Sequence, residues 1–290
     1  MDAFKSRFDR LLKDYFVTVL SMGSTSGMPE LMSLYHYVKM FRGMAISKHI
    51  VLTHGVASLA EELAKHVPVL YESPVRKIVM EKGRAVGVQM EGNGSIKKAA
   101  HVIVAVTPSV MADIMPDELD EERGFFQSLP YVQFPMPVFF LDRPINKDIW
   151  CYFNDPGLKR TFVFAIDQHS KIPEMIPSGK SILTGWAVYP ETLRLVNMPD
   201  EEIIKIASKD IELMIPGFSK WIEEVKIFRH SYVNGLYPPG EYRKILDFSK
   251  KAKKLDGVSF VSAELHGTAI EGELCSAADE VERIIIGGKK

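Results

Sequence analysis

Phe4, Phe8, Leu11, Leu12, Tyr15, Phe16, Val19 and Leu20 recur at steps of three and four residues, which predicts an opening helix with one apolar face, ended near Gly23. Its other face mixes Lys5, Arg7, Arg10 and Lys13 with Asp9 and Asp14, the pattern of a solvated surface or, as the alternative, of a helix resting on a membrane. A second helix is predicted from about Pro29, with Leu31, Met32, Leu34, Tyr35, Val38, Met40 and Phe41 on a broader face. Met22, Met28, Met32, Met40 and Met44 crowd this region, and unbranched thioethers suit either ordinary core packing or the wall of a ligand cavity. Val56, Leu59, Ala60, Leu63 and Ala64 mark a short third helix, with Gly55 permitting a tight approach at its start.

The period then changes from helical to alternating. Val67 to Tyr71 reads as a strand, and Val75 to Met80, Ala85 to Met90 and Ser95 to Ala99 read as an antiparallel meander turned at Lys82-Gly83 and Gly92-Asn93-Gly94. His101 to Val106 is almost wholly apolar, as a strand buried on both faces would be, and runs through Thr107-Pro108 into a short helix. Val132 to Leu141, Thr161 to Ile166 and Ser181 to Tyr189 form a β-rich stretch, followed by a helix from Asp200 to Met214. Residues 229–257 read as loop-rich, with a turn at Tyr237-Pro238-Pro239-Gly240 and a solvated basic run at Lys250, Lys251, Lys253 and Lys254. Val258 to Val261 is a buried-strand pattern, and a last helix is predicted from about Glu271 to Ile285.

Composition narrows the class of protein. Over 290 residues, 46% are apolar and 25% charged, the balance of an ordinary globular chain. Lys plus Arg number 36 against 37 Asp plus Glu, so no net field recruits nucleic acid, and nucleic acid is not expected as a partner. Cys151 and Cys275 stand alone, so the spacing offers neither a disulfide framework nor a metal site, and a reducing, cytoplasmic location is expected. No apolar run approaches the roughly 18 residues of a membrane span, and Met1 is followed by mixed charge rather than a secretory leader. No catalytic triad appears, so the catalytic residues stay unassigned.

The order of helix (GVASLAEELAKH), strand (VPVLYES), meander (PVRKIVMEKGRAVGVQM), buried strand (HVIVAVTP), β-rich insert and closing block (VSFVSAELHGTAIEGELCSAADEVERI) resembles the flavin-containing amine oxidase and phytoene desaturase superfamily. The resemblance is carried by about residues 50–108 and 225–285 and is architectural between them. It implies an α/β fold with α+β elements: an FAD/NAD(P)-binding oxidoreductase-like sheet with a β-meander, plus a β-rich substrate domain. It further implies a helical cover segment at 1–50, the middle of the flavin domain at 51–115, the substrate domain at 116–233, and the flavin domain's closing strand and helix at 234–290.

The cofactor implied is FAD, and the matching positions are Gly55 at the start of the GVASLAEELAKH helix, Val75 offering its backbone to the adenine, Glu264 near the ribityl and diphosphate region, and Ile270, Glu271 and Gly272 at the helix start under the flavin ring. His230, Tyr232 and Tyr237 fall where relatives place aromatic residues facing the flavin, or else simply pack in a loop. Two departures accompany these matches. No GxGxxG turn occurs in the chain, Gly23-Ser24-Thr25-Ser26-Gly27 having the wrong spacing, and the closing helix has Gly272-Glu273 and Ser276-Ala277 where the family favours the small pairs GA and SG.

The resemblance implies an oxidoreductase that takes a hydride from an apolar or amine-bearing small molecule, incomplete by itself. The alternative is an oxidase-like binding module that holds no flavin. Without a nucleotide-binding unit, the sheet of His101 to Val106 and Val258 to Val261 is expected to have an open edge, to be filled by an N-terminal nucleotide-binding subunit, by self-association, or by the Phe4 to Leu20 helix as cover.

Overall fold

A computed structural model describes residues 6–25, 27–46, 50–266 and 269–287. The chain divides into two compact units, Met1–Pro68 with Tyr131–Leu236 and Val69–Pro130 with Tyr237–Lys290. The strands are β1 (Val75–Glu81), β2 (Arg84–Met90), β3 (Ile96–Lys98), β4 (Val102–Val104), β5 (Tyr131–Leu141), β6 (Cys151–Phe153), β7 (Phe162–Asp167), β8 (Ser181–Ala187), β9 (Ile222–Gly235) and β10 (Val258–Phe260).

The first unit holds an antiparallel sheet in the order β6-β7-β8-β5-β9. Pro135 and Pro137 lie in β5 where only β9 pairs with it, β8 joining from Val138 onward, so the missing N–H groups leave no gap in a two-sided ladder. The Asp200–Met214 helix lays Ile203, Ala207 and Ile211, a turn apart and fully buried, against Phe134, Phe139, Phe162 and Leu183 of the sheet.

Near the N-terminus the expectations need correction. Ser6 and Asp9 cap each other's backbone N–H groups at 2.9 and 3.0 Å, starting the Arg7–Leu12 helix, which widens to a π-turn at Lys13–Val17 and continues through Thr18–Thr25. Gly23 therefore does not end it; glycine weakens a helix without forbidding it. The Pro29 helix is a single 3₁₀ turn, Pro29–Leu31, and the longer helix is Leu34–Ile46, set by the Ser33 hydroxyl accepting the His36 N–H at 3.2 Å. Phe4 lies outside the described residues.

The Val67 to Tyr71 strand does not form either. Pro68 removes a donor, no strand pairs with the segment among the described residues, and Val67, Leu70 and Tyr71 are exposed.

In the second unit, β1, β2 and β3 form the meander, and Lys82 and Gly83, both at positive φ, make its tight first turn. β4 and β10 pair in parallel. The stretch predicted to be buried on both faces is only half so: Val104 joins the core with Ile78, Met111 and Phe126, while Ile103 and Val106 are 45% and 42% exposed.

The region 229–257, read as loop-rich, contains the end of β9 and a Glu241–Ala252 helix whose Ile245 and Phe248 enter that core. Lys250 and Lys251 sit in the helix's last turn, where the macrodipole favours cations, and Lys251 pairs with Glu121. Among the described residues no helix is long and apolar enough to cross a membrane.

Candidate functional site

The parallel pair of the second unit positions the site. Val102 N–H donates to the Gly257 carbonyl at 2.8 Å and Val261 N–H to the Val104 carbonyl at 2.9 Å, so the ladder closes at the carboxyl end of β10. In open sheets with parallel strands, that end is where ligands bind. Val261, Ser262, Ala263 and Glu264 leave it in succession and are all buried.

The Ser262 hydroxyl accepts the Glu264 N–H at 3.1 Å and donates to the Glu264 carboxylate, starting the short Ala263–His266 helix. Ser262 N–H donates to the Ser276 hydroxyl at 3.3 Å, tying this corner to the Ala269–Gly287 helix. Gly272 and Ser276, one turn apart, are both buried, so small side chains let the helix lie close.

Electrostatically the corner is acidic and partly dry. Burial, then the nearby Glu264 carboxylate and Tyr242, push the Tyr237 hydroxyl above its ordinary range. Burial and then Glu264 likewise raise the Glu273 carboxyl. Tyr237 stacks on Tyr242 with ring centroids 5.2 Å apart. The half-buried Cys151 thiol, in the other unit, is pushed up to about 11 by burial, so it stays protonated and a poor nucleophile at neutral pH. Among the described residues no group of His, Cys, Asp and Glu is placed to hold a metal ion.

Glu264, Ile270, Glu271 and Gly272 come together on the two packed helices that follow β10. Ile270 and Glu271 are exposed in the first turn of the second of these, and Gly272 is buried beside them. Val75 opens β1 of the same unit, half-buried and paired with Met90. Gly55, at φ +82°, precedes the Ala57–Ala64 helix in the other unit, and a Cβ there would come to 3.4 Å from the Met175 methyl.

Tyr237 is a buried core residue, whereas His230 and Tyr232 lie on β9, His230 exposed and Tyr232 tilted against Tyr131 at 5.2 Å. Sequence reasoning missed Ser262 and Ser276 as the clasp of this corner. The signal available was the four-residue step from Gly272 to Ser276, which puts two small residues on one helix face.

These residues fit part of a flavin. The first-turn N–H groups of the Ala269–Gly287 helix lack intrahelical acceptors and carry the positive end of its dipole, which suits the electron-rich edge of the ring. The Glu264 carboxylate suits hydroxyl groups. From Glu264 to Glu273 the sequence holds three carboxylates and His266 as its one basic side chain, so this stretch suits a ribityl chain and ring and repels a diphosphate.

Residues 3–285 match the family described as flavin-containing amine oxidoreductase. The chain belongs to that family, whose cofactor class, flavin, agrees with the FAD expected from the sequence. No curated protein matches it.

Among solved structures, a protein assigned as a protoporphyrinogen oxidase from Exiguobacterium sp. 255-15 superposes with a TM-score of 0.73 at 17% identity, over 96% of this chain and 64% of that one. An oxidoreductase from Methanosarcina mazei gives 0.69 at 16% identity, over 93% and 64%. Cyclohexylamine oxidase from Brevibacterium oxydans IH-35A gives 0.66 at 14% identity, over 97% and 66%. The mixed helix and sheet fold is thus that of FAD-dependent oxidoreductases, and the chain spans about two thirds of the length of these structures.

Proposed function

We propose that the chain provides the substrate-domain and flavin-facing parts of an FAD-dependent oxidoreductase that removes a hydride from an apolar or amine-bearing small molecule. The observation that carries this reading is the family match over residues 3–285. Flavin, when bound, supplies the hydride acceptor.

The chain's own groups would hold and polarise it. The Ile270 N–H and the dipole of the Ala269–Gly287 helix would favour negative charge at the flavin's electron-rich edge, and Gly272, lacking a Cβ, would leave room for the ring beside the helix. Glu264, held by Ser262, would accept from ribityl hydroxyls, and the Val75 backbone would receive the adenine. Gly55 keeps the start of its helix narrow. Tyr237, buried and stacked on the half-buried Tyr242, would keep water from the side of Glu264 that it faces.

Two measurements test this. Mixed with FAD and passed through gel filtration, the chain should retain flavin weakly, because it contains no glycine-rich turn for the diphosphate. A polypeptide bearing a GxGxxG strand-turn-helix should raise that retention, and a primary amine added without oxygen should then bleach the flavin band. Tight stoichiometric retention by the chain alone would remove the claim of incompleteness, and flavin that no amine or apolar substrate bleaches would favour the non-catalytic binding module. Gly272→Val should lower flavin affinity at least tenfold, about 1.4 kcal/mol, with an unchanged circular dichroism spectrum; unchanged affinity would remove Gly272 from the site.

A further inference from the structure

The first unit carries a cleft built on residues other than those of the candidate flavin site. A cleft of about 510 Å³ is lined by Lys159, Arg160, Arg194, Lys205 and Lys209, with Glu202 and Asp210 as its carboxylates. Five cationic side chains thus face two acids, in a chain whose net charge is −1.

The acids do not balance the bases. Asp210 is buried and spends one oxygen on the backbone N–H groups of Thr161 and Phe162, at 3.1 and 3.0 Å, leaving a loose 3.9 Å approach to Arg160. Arg194 donates to the Thr161 hydroxyl at 3.0 Å and reaches Glu191 only at 3.4 Å. Among the described residues, Lys159, Lys205 and Lys209 make no ion pair, and the Arg160 Nε is shut from solvent without an acceptor. Lys205 and Lys209 stand one turn apart on the Asp200–Met214 helix, a like-charge pair that disfavours the helix. Three lysines without an ion pair beside two arginines at one concavity point to an anionic ligand.

We propose that this cleft binds a phosphorylated small molecule or headgroup, its phosphoryl oxygens taken by the Arg160 and Arg194 guanidiniums and by the ammonium groups of Lys159, Lys205 and Lys209. Guanidinium forks match phosphoryl oxygens in pairs, and the lysines add positive charge that no carboxylate pairs with. The proposal does not depend on flavin chemistry, since every lining residue lies in the first unit and none is a candidate flavin contact.

The test uses the purified full chain with inorganic pyrophosphate by titration calorimetry, and with phosphatidylcholine vesicles with and without phosphatidic acid by co-sedimentation. Saturable pyrophosphate binding that weakens with added salt and falls at least tenfold in Lys205→Gln/Lys209→Gln is the expected result. Both lysines are exposed, so folding should be spared, and Lys250→Gln/Lys253→Gln, in the other unit's basic run, should bind like the unmodified chain. Binding only to phosphatidic acid vesicles, lost in the same variant, would support the site with a lipid headgroup as the source. No saturable binding in either arm, or equal binding by the variant, would overturn it.

Discussion

Gly257→Val should destabilise the second unit by more than about 3 kcal/mol, a large share of the roughly 5–15 kcal/mol that holds a domain folded. Gly257 stands at φ +74°, where a β-branched residue is strained by about 1–2 kcal/mol. Its Cβ would also lie 2.3 Å from the Ala85 carbonyl oxygen and 3.1 Å from the Ala85 nitrogen, a backbone that cannot step aside like a side chain. Ala85 N–H donates to the Asp256 carbonyl at 3.0 Å, and Val102 N–H to the Gly257 carbonyl at 2.8 Å, so relief of the clash breaks the bonds joining β2 and β4 to the approach of β10. Each broken bond costs about 1 kcal/mol net.

Hydrogen exchange at the Ala85 and Val102 amides should show lost protection. Gly83→Val is the comparison, because Gly83 has φ +79° but nothing within 4 Å of its Cβ, so it should suffer strain alone. Equal loss in the two variants would mean that the φ angle, not the close approach, sets the effect.

What the sequence showed and hid follows from where each segment's partners lie. The meander and the Asp200–Met214 helix carry their own instructions: alternation with Lys82-Gly83 between two strands, and Ile203, Ala207 and Ile211 at helical spacing. β9 was hidden because its Glu223, Glu224, Lys226, Arg229 and His230 sit on an edge strand open to water, which puts charge where alternation would show apolar residues. The Glu241–Ala252 helix was hidden because Ile245 and Phe248 are a sparse apolar stripe among charged residues, behind a Pro-Pro-Gly turn. Val67 to Tyr71 failed the other way: its apolar run has the composition of a strand, but a strand exists only when something pairs with it.

The candidate site was legible to the same extent. Glu264 and Ile270 to Gly272 are contiguous in sequence, so a resemblance there needs no tertiary knowledge. The Ser262–Ser276 clasp and the basic cleft needed the fold. The cleft gathers Lys159, Arg194 and Lys205 from three separate segments, each of which alone reads as solvated surface.

The largest effect expected in the first unit is at Asp167, the fully buried last residue of β7. Its carboxylate accepts from the Ser181 hydroxyl, from the Ser170 hydroxyl at 2.9 Å and from the His169 N–H at 3.0 Å, so one side chain ends β7, caps the Gln168–Lys171 turn and fixes the start of β8. Asp167→Ala removes the acceptor from the buried Ser181 hydroxyl and the half-buried His169 N–H, while the Ser170 hydroxyl keeps the Asn146 carbonyl; each unsatisfied buried group costs about 1–3 kcal/mol. A loss of about 3–5 kcal/mol is expected, tempered by whatever water enters the gap. Asp167→Asn keeps the volume and one acceptor oxygen but turns a second donor toward groups that already donate, so it should recover only part of the loss. Trp150, Trp186 and Trp221 all lie in this unit, Trp186 stacking on Phe164 at 5.5 Å, so tryptophan fluorescence during urea unfolding reads the unit that holds the substitution. The midpoint should be highest for the unmodified chain, lower for Asp167→Asn and lowest for Asp167→Ala, with an unchanged slope; a midpoint equal to the unmodified chain's for Asp167→Ala would mean that the Ser181 and His169 donors find water as readily as the carboxylate.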